Sequence, residues 1–75
     1  MRDVIIRQFP VELFKVLKFE GLCGSGGEAK AAIEQGLVTV NGAVETQKRK
    51  KLAAGDVIRF QSEALRLVAA SGSVD

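Results

Sequence analysis

The chain has no histidine, tryptophan or tyrosine, and only one cysteine, one proline and one methionine. Each absence closes a class of function. Without histidine, Cys23 has no partner for a cysteine–histidine nucleophile. Zinc-holding clusters of cysteine and histidine are excluded for the same reason. A lone cysteine forms no internal disulfide, which fits a reducing cytoplasm. No apolar run reaches the roughly 18 residues that a membrane-spanning helix needs. The first residues lack the basic-then-apolar order of a signal peptide. Carboxylates are present, but no two share an apolar setting that would split their pKa values for acid–base work. The expectation is a protein with no catalytic activity, cofactor, metal or membrane attachment.

What is present is ordinary in bulk and uneven in detail. The 75 residues are 47% hydrophobic and 27% charged, enough for one small domain with a small core. The formal net charge is only +2, yet four of the eleven Lys and Arg lie together as Lys48, Arg49, Lys50 and Lys51. A basic patch on a nearly neutral chain points to an anionic partner meeting one face. A solvated loop is the alternative for so short a tract.

The stretch Gly36 to Leu52 organises the rest. Val38 and Val40 alternate with Thr39, and Val44 resumes the pattern after Asn41-Gly42. Asn-Gly between β-rich runs predicts a hairpin, because both residues tolerate positive φ. The second arm runs into the basic tract. A half-buried strand hides every second side chain, and here either face would carry two charges. The tract is therefore expected to be a loop or an edge: a flexible cationic tip delivered by the hairpin.

Before the hairpin, Val4, Ile5 and Ile6 predict a strand over about residues 3–8. Pro10 suits a helix start, and Val11 to Glu20 reads as a helix ended by Gly21. Leu13, Val16, Leu17 and Glu20 share one side, and Lys15 and Lys18 share another. Phe9, Phe14, Phe19 and Phe60 each sit in an apolar pattern and read as core. Cys23 reads as a small buried hydrophobe. Ser25-Gly26-Gly27-Glu28 fits a capping box, with the Glu28 carboxylate reaching back to the Ser25 amide. The second helix runs to Gln35, with Ala29, Ala32 and Ile33 inward, Lys30 and Glu34 outward, and Gly36 as its stop. After the hairpin, Val57 to Phe60 and Leu65 to Ala69 predict two further strands.

Gly26 and Gly27 at the start of a helix are intrinsically poor choices, which raises the question of what approaches this backbone. Gly24 to Lys30 superficially resembles a phosphate loop. It lacks a glycine directly before the lysine, a following Ser or Thr, and a leading strand, so an ATP site is not expected. A weaker reading survives, since amides at a helix N-terminus attract phosphate oxygens. The competing reading is a tight interhelical corner. It is preferred unless the basic tract lies nearby.

Together these residues resemble a known family. Gly21-Leu22-Cys23, Ser25 before Ala29-Lys30 and Ile33, Gly36-Leu37-Val38-Thr39-Val40-Asn41-Gly42, and Ala54-Gly55-Asp56-Val57-Ile58 are similar to the alpha-L RNA-binding domain, named for ribosomal small-subunit protein S-four. The Ser-Gly-Gly-Glu-Ala-Lys corner and the Val44-to-Leu52 run resemble its stand-alone YbcJ-like bacterial branch. The similarity covers about residues 10–60. It departs from the family at Gly26, where arginine is common, and at Glu12-Leu13-Phe14, where Arg-Leu-Asp is common.

The resemblance implies an α+β fold, with two packed helices on a small, mostly antiparallel sheet in the order β-α-α-β-β-β-β. Residues 1–70 would form the single RNA-binding domain, and 71–75 a frayed tail. It implies no catalysis, and a monomer whose partner is structured RNA, with ribosomal or transfer RNA as candidate classes. The expected RNA-binding residues are Lys15, Lys18, Ser25, Gly26, Gly27, Lys30, Asn41, Lys48, Arg49, Lys50 and Lys51. Asn41 has a second reading, as a turn residue only. A protein-interaction adaptor using the basic tract on an acidic surface is the alternative function.

Overall fold

Hydrophobic alternation places one apolar face on most strands of the sheet, and the computed structural model assembles those faces into one core. It describes residues 1–70; the segment 71–75, expected to be a tail, lies outside them. The principal strands are β1 (Arg2–Ile6), β3 (Val38–Val40), β4 (Ala43–Val44), β6 (Val57–Phe60) and β7 (Glu63–Ala69). They form a five-stranded sheet in the order β1-β7-β6-β3-β4. Only the β1–β7 pair is parallel; the others are antiparallel. Val4, Val38, Val40, Ile58, Phe60, Leu65 and Leu67 are buried on one face of this sheet. Arg59 and Arg66 alternate with these residues and are exposed.

Helices α1 (Leu13–Phe19) and α2 (Gly26–Glu34) complete the core with Leu13, Phe14, Val16, Leu17, Ala29, Ala32 and Ile33. Both end as the glycines predict. Gly21 has φ +76° and Gly36 has φ +77°. Leu22 N–H donates to the Leu17 carbonyl and Gly21 N–H to that of Lys18, satisfying two otherwise orphaned acceptors. Leu37 and Gly36 repeat the pattern with Ala32 and Ile33.

Four expectations need correction. Pro10 does not open α1. The helix begins at Leu13, because Val11–Glu12 forms a short strand, β2, paired antiparallel with β5 (Lys51–Leu52). The basic tract is not a flexible tip. Its backbone closes the start of α1, with Leu13 N–H donating to the Lys50 carbonyl at 2.9 Å and Phe14 N–H to that of Lys48 at 3.1 Å. Phe19 is not core; it is 67% exposed at the end of α1, with the Lys18 ammonium 5.7 Å from its ring centroid. The Glu28 carboxylate accepts from the Gly24 amide at 2.8 Å, not from that of Ser25. The other half of the capping box is as expected, with Glu28 N–H donating to Ser25 Oγ at 3.2 Å.

Candidate nucleic-acid interface

An α-helix without a side-chain cap leaves its first amides needing acceptors. Glu12 at the N-cap of α1 provides no such cap, and the basic tract supplies backbone carbonyls in its place. This arrangement fixes Lys48 to Lys51 beside α1 although some 30 residues separate them in sequence.

The side chains then gather at two points. The first is the Phe14 ring, buried at 8% exposure. Lys30 Nζ lies 4.6 Å from its centroid, Arg49 Cζ 5.4 Å and Lys15 Nζ 6.0 Å, all within cation–π range. Lys30 comes from α2, Lys15 from α1 and Arg49 from the tract, so three segments present cations around one aromatic. Gly26 adjoins the same ring. A Cβ at Gly26 would lie 3.8 Å from both Phe14 Cε2 and Lys18 Cδ, an ordinary contact, so crowding does not require glycine there. Gly27 is more open still, meeting only Ser25 Oγ at 3.8 Å. The tight turn between the helices depends instead on the positive φ of Gly21.

The second point is Glu12. Lys15 and Arg49 approach its Oε1 at 3.5 Å each, and Lys51 approaches Oε2 at 3.7 Å. Burial pushes the Glu12 carboxyl up, but Lys15, Lys51 and Arg49 together outweigh it and hold the group below its ordinary value. Lys48 reaches away to Glu34 on α2 at 2.8 Å, while Lys30, also on α2, turns to the Phe14 ring. Lys50 is exposed and makes no ion pair among the described residues.

Phe14 and Glu12 thus connect Lys15, Lys30, Arg49 and Lys51, with Lys48 and Lys50 carried on the same tract, while the Lys18 stem passes beside Gly26 and its ammonium lies over the Phe19 ring. Ser25 and Gly27 border this surface at the start of α2. Asn41 is committed elsewhere. At φ +54° in the hairpin turn, its amide donates to Asp56 Oδ1 at 3.0 Å, and its Oδ1 accepts from Val57 N–H at 2.9 Å. Its turn reading therefore accounts for its contacts.

Glu12 was missed as the organiser of this surface. The available signal was an acidic residue at the helix start in a chain with a separate basic tract. Cys23 is half-buried against the core, and burial, then the Glu28 carboxylate, push its thiol up, so it lacks the character of a reactive thiolate. Among the described residues no group of His, Cys, Asp or Glu is arranged to hold a metal. No helix among them is long and apolar enough to cross a membrane.

A family model described as the S4 domain matches residues 4–68. YbcJ of Escherichia coli strain K12 is 49% identical over 59 residues, covering 79% of this chain and 84% of that protein. YbcJ of Shigella flexneri matches to the same extent. The solution structure of E. coli YbcJ, described as revealing an αL motif involved in RNA-binding, superposes with a TM-score of 0.71 at 44% identity, covering 92% of this chain and 89% of that one. The crystal structure of 30S ribosomal protein S4e from Thermoplasma acidophilum gives a TM-score of 0.66 at 26% identity, covering 80% of this chain and 32% of that one.

Proposed function

The chain belongs to the S4 domain family, and from that premise we propose that it is a non-catalytic RNA-binding protein whose contact surface is the start of α2 together with the basic tract. The observation that carries this reading is the convergence of Lys15, Lys30 and Arg49 on the Phe14 ring. Cations from three segments form one positive surface, suited to a phosphate backbone. Lysine meets phosphate as a point charge, so affinity comes from charge and shape rather than base sequence. Lys15, Lys18, Lys30 and Lys48 to Lys51 are the phosphate contacts in this reading, and the Ser25-Gly26-Gly27 amides receive a further phosphate oxygen. The partner is structured RNA bound by a cytoplasmic monomer. The likeness to a 30S ribosomal protein makes ribosomal RNA the first class to test.

The test replaces Lys48, Arg49, Lys50 and Lys51 with glutamine and titrates a structured RNA at several salt concentrations. If each cation engages about one phosphate, the tract contributes roughly −3 to −4 to the slope of log affinity against log salt. The variant should lose most of that slope, and lose it alike for unrelated RNA sequences. It should remain folded, because glutamine preserves the backbone carbonyls that cap α1. A folded variant with unchanged affinity and slope would remove the tract from the interface. An acidic protein bound in place of RNA would favour the adaptor function.

A further inference from the structure

The cationic surface contains a feature that phosphate binding does not use. A groove of about 330 Å³ is lined by Gln8, Phe9, Pro10, Val11, Glu12, Lys15 and Lys51. Its volume is near the lower end of the roughly 300–1,000 Å³ typical of small-ligand sites. The groove is open and its lining is mainly polar; Phe9, Pro10 and Val11 contribute a smaller apolar part, and Lys15 and Lys51 lie on both the groove and the Glu12 carboxylate. A carboxylate is a poor choice for gripping phosphate. It accepts hydrogen bonds only, so its natural partner is a ligand edge rich in donors. Its three cations stand at 3.5–3.7 Å, longer than the roughly 2.7–2.9 Å of a close charge-assisted hydrogen bond.

The geometry points to this groove as a subsite for one unpaired guanine of the bound RNA, an inference that rests on the RNA-binding reading above. Guanine alone among the four RNA bases offers two adjacent donors on its pairing edge, N1–H and the N2 amino group. These match the two oxygens of Glu12, which the bound base would share with Lys15, Arg49 and Lys51. Adenine and cytosine offer one amino group beside an acceptor nitrogen, and uracil offers one N–H between two carbonyls that would face the carboxylate. Lys15 and Lys51 are placed to meet the guanine carbonyl or its flanking phosphates. Phe9, the aromatic residue of the lining, offers its edge of the groove to an unstacked base.

The test uses the whole chain and four RNA hairpins with one stem. Their loops are all uridine except for a central guanine, inosine, adenine or uracil. Inosine lacks only the N2 amino group. The guanine loop should bind about tenfold more tightly than the inosine loop, and tighter still than the other two. Glu12→Gln should bring guanine and inosine within about twofold, because the guanine loop loses most of its tenfold advantage while the adenine and uracil loops keep or gain affinity as a negative charge leaves the cationic surface. As a measurement independent of any variant, the Gln8 side-chain amide and Val11 backbone amide should shift in NMR spectra with the guanine loop and not with the adenine loop. Salt-dependent binding with equal affinity for all four loops would overturn the subsite and leave the phosphate reading standing. Failure to bind any loop would overturn both.

Discussion

Glu12 is the residue on which local electrostatics turn. Three cations hold its carboxyl below the ordinary value of 4.5 in the folded chain, against the opposing effect of burial. A carboxyl with a lowered folded pKa favours the folded state above its unfolded value, and that contribution disappears as pH falls through the folded one. Glu12→Gln should therefore melt below the wild type at neutral pH. The gap should begin to close below pH 4.5 and vanish once the wild-type carboxyl is protonated. Melting curves of both proteins across that range check this, and a gap that does not change with pH would mean the three cations leave the titration of Glu12 unaffected. The same residue shows what spacing can reveal. Its place at the helix start was readable, but its cations at 49 and 51 were not, because their approach depends on β2 pairing with β5. Two-residue strands separated by some 40 positions leave no periodic trace.

At the scale of elements, the sequence was most informative where a single residue controls a chain end. Gly21 and Gly36 were legible as helix stops because their left-handed backbone disfavours other residues. Ser25 was legible as a cap. The start of α1 was not, since its acceptors are backbone carbonyls from the basic tract, and carbonyls carry no sequence signature. Phe19 was misread because an apolar residue at a helix end can cover the core or face water with equal periodicity. The start of α2 supports a sharp prediction. Gly27 has room for a side chain and no positive φ. Gly27→Ala should thus stabilise the protein by roughly 0.5–1 kcal/mol through helix propensity and reduced freedom of the unfolded chain. That corresponds to about 2–8 °C in melting temperature for a domain of this size. If the α2 amides receive a phosphate, the added methyl group should weaken RNA binding in the same variant. Thermal unfolding and RNA titration test the two effects separately; a more stable variant with unchanged affinity would exclude this corner from the interface.

For the whole molecule, net charge and charge placement make different claims. Lys15, Lys18, Lys30 and Lys48 to Lys51 are seven of the eleven basic residues, and all lie on the two helices or the tract. Arg59 and Arg66 stand on β6 and β7, exposed between residues that face the core. Arg66 is paired with Asp3 at 3.0 Å. A pair of double variants separates the two claims. Arg49→Gln with Lys51→Gln, and Arg59→Gln with Arg66→Gln, each reduce the formal net charge from +2 to zero. If RNA responds to the overall field, the two should lose affinity equally, since long-range attraction follows total charge. If it binds the surface around Phe14 and Glu12, only the first should lose phosphate contacts. Its salt slope should then fall by about 1.5, close to the 0.7–0.9 expected for each lost contact, while the second should stay near the wild-type slope. Both should remain folded, because the Arg66–Asp3 pair is exposed and contributes little to stability, and Lys15 stays beside Glu12 when Arg49 and Lys51 are replaced. RNA titrations across salt for the three proteins decide between the claims. Equal losses would make the cationic surface a consequence of overall charge, and a loss confined to the tract would assign the binding energy to the place where the fold gathers its cations.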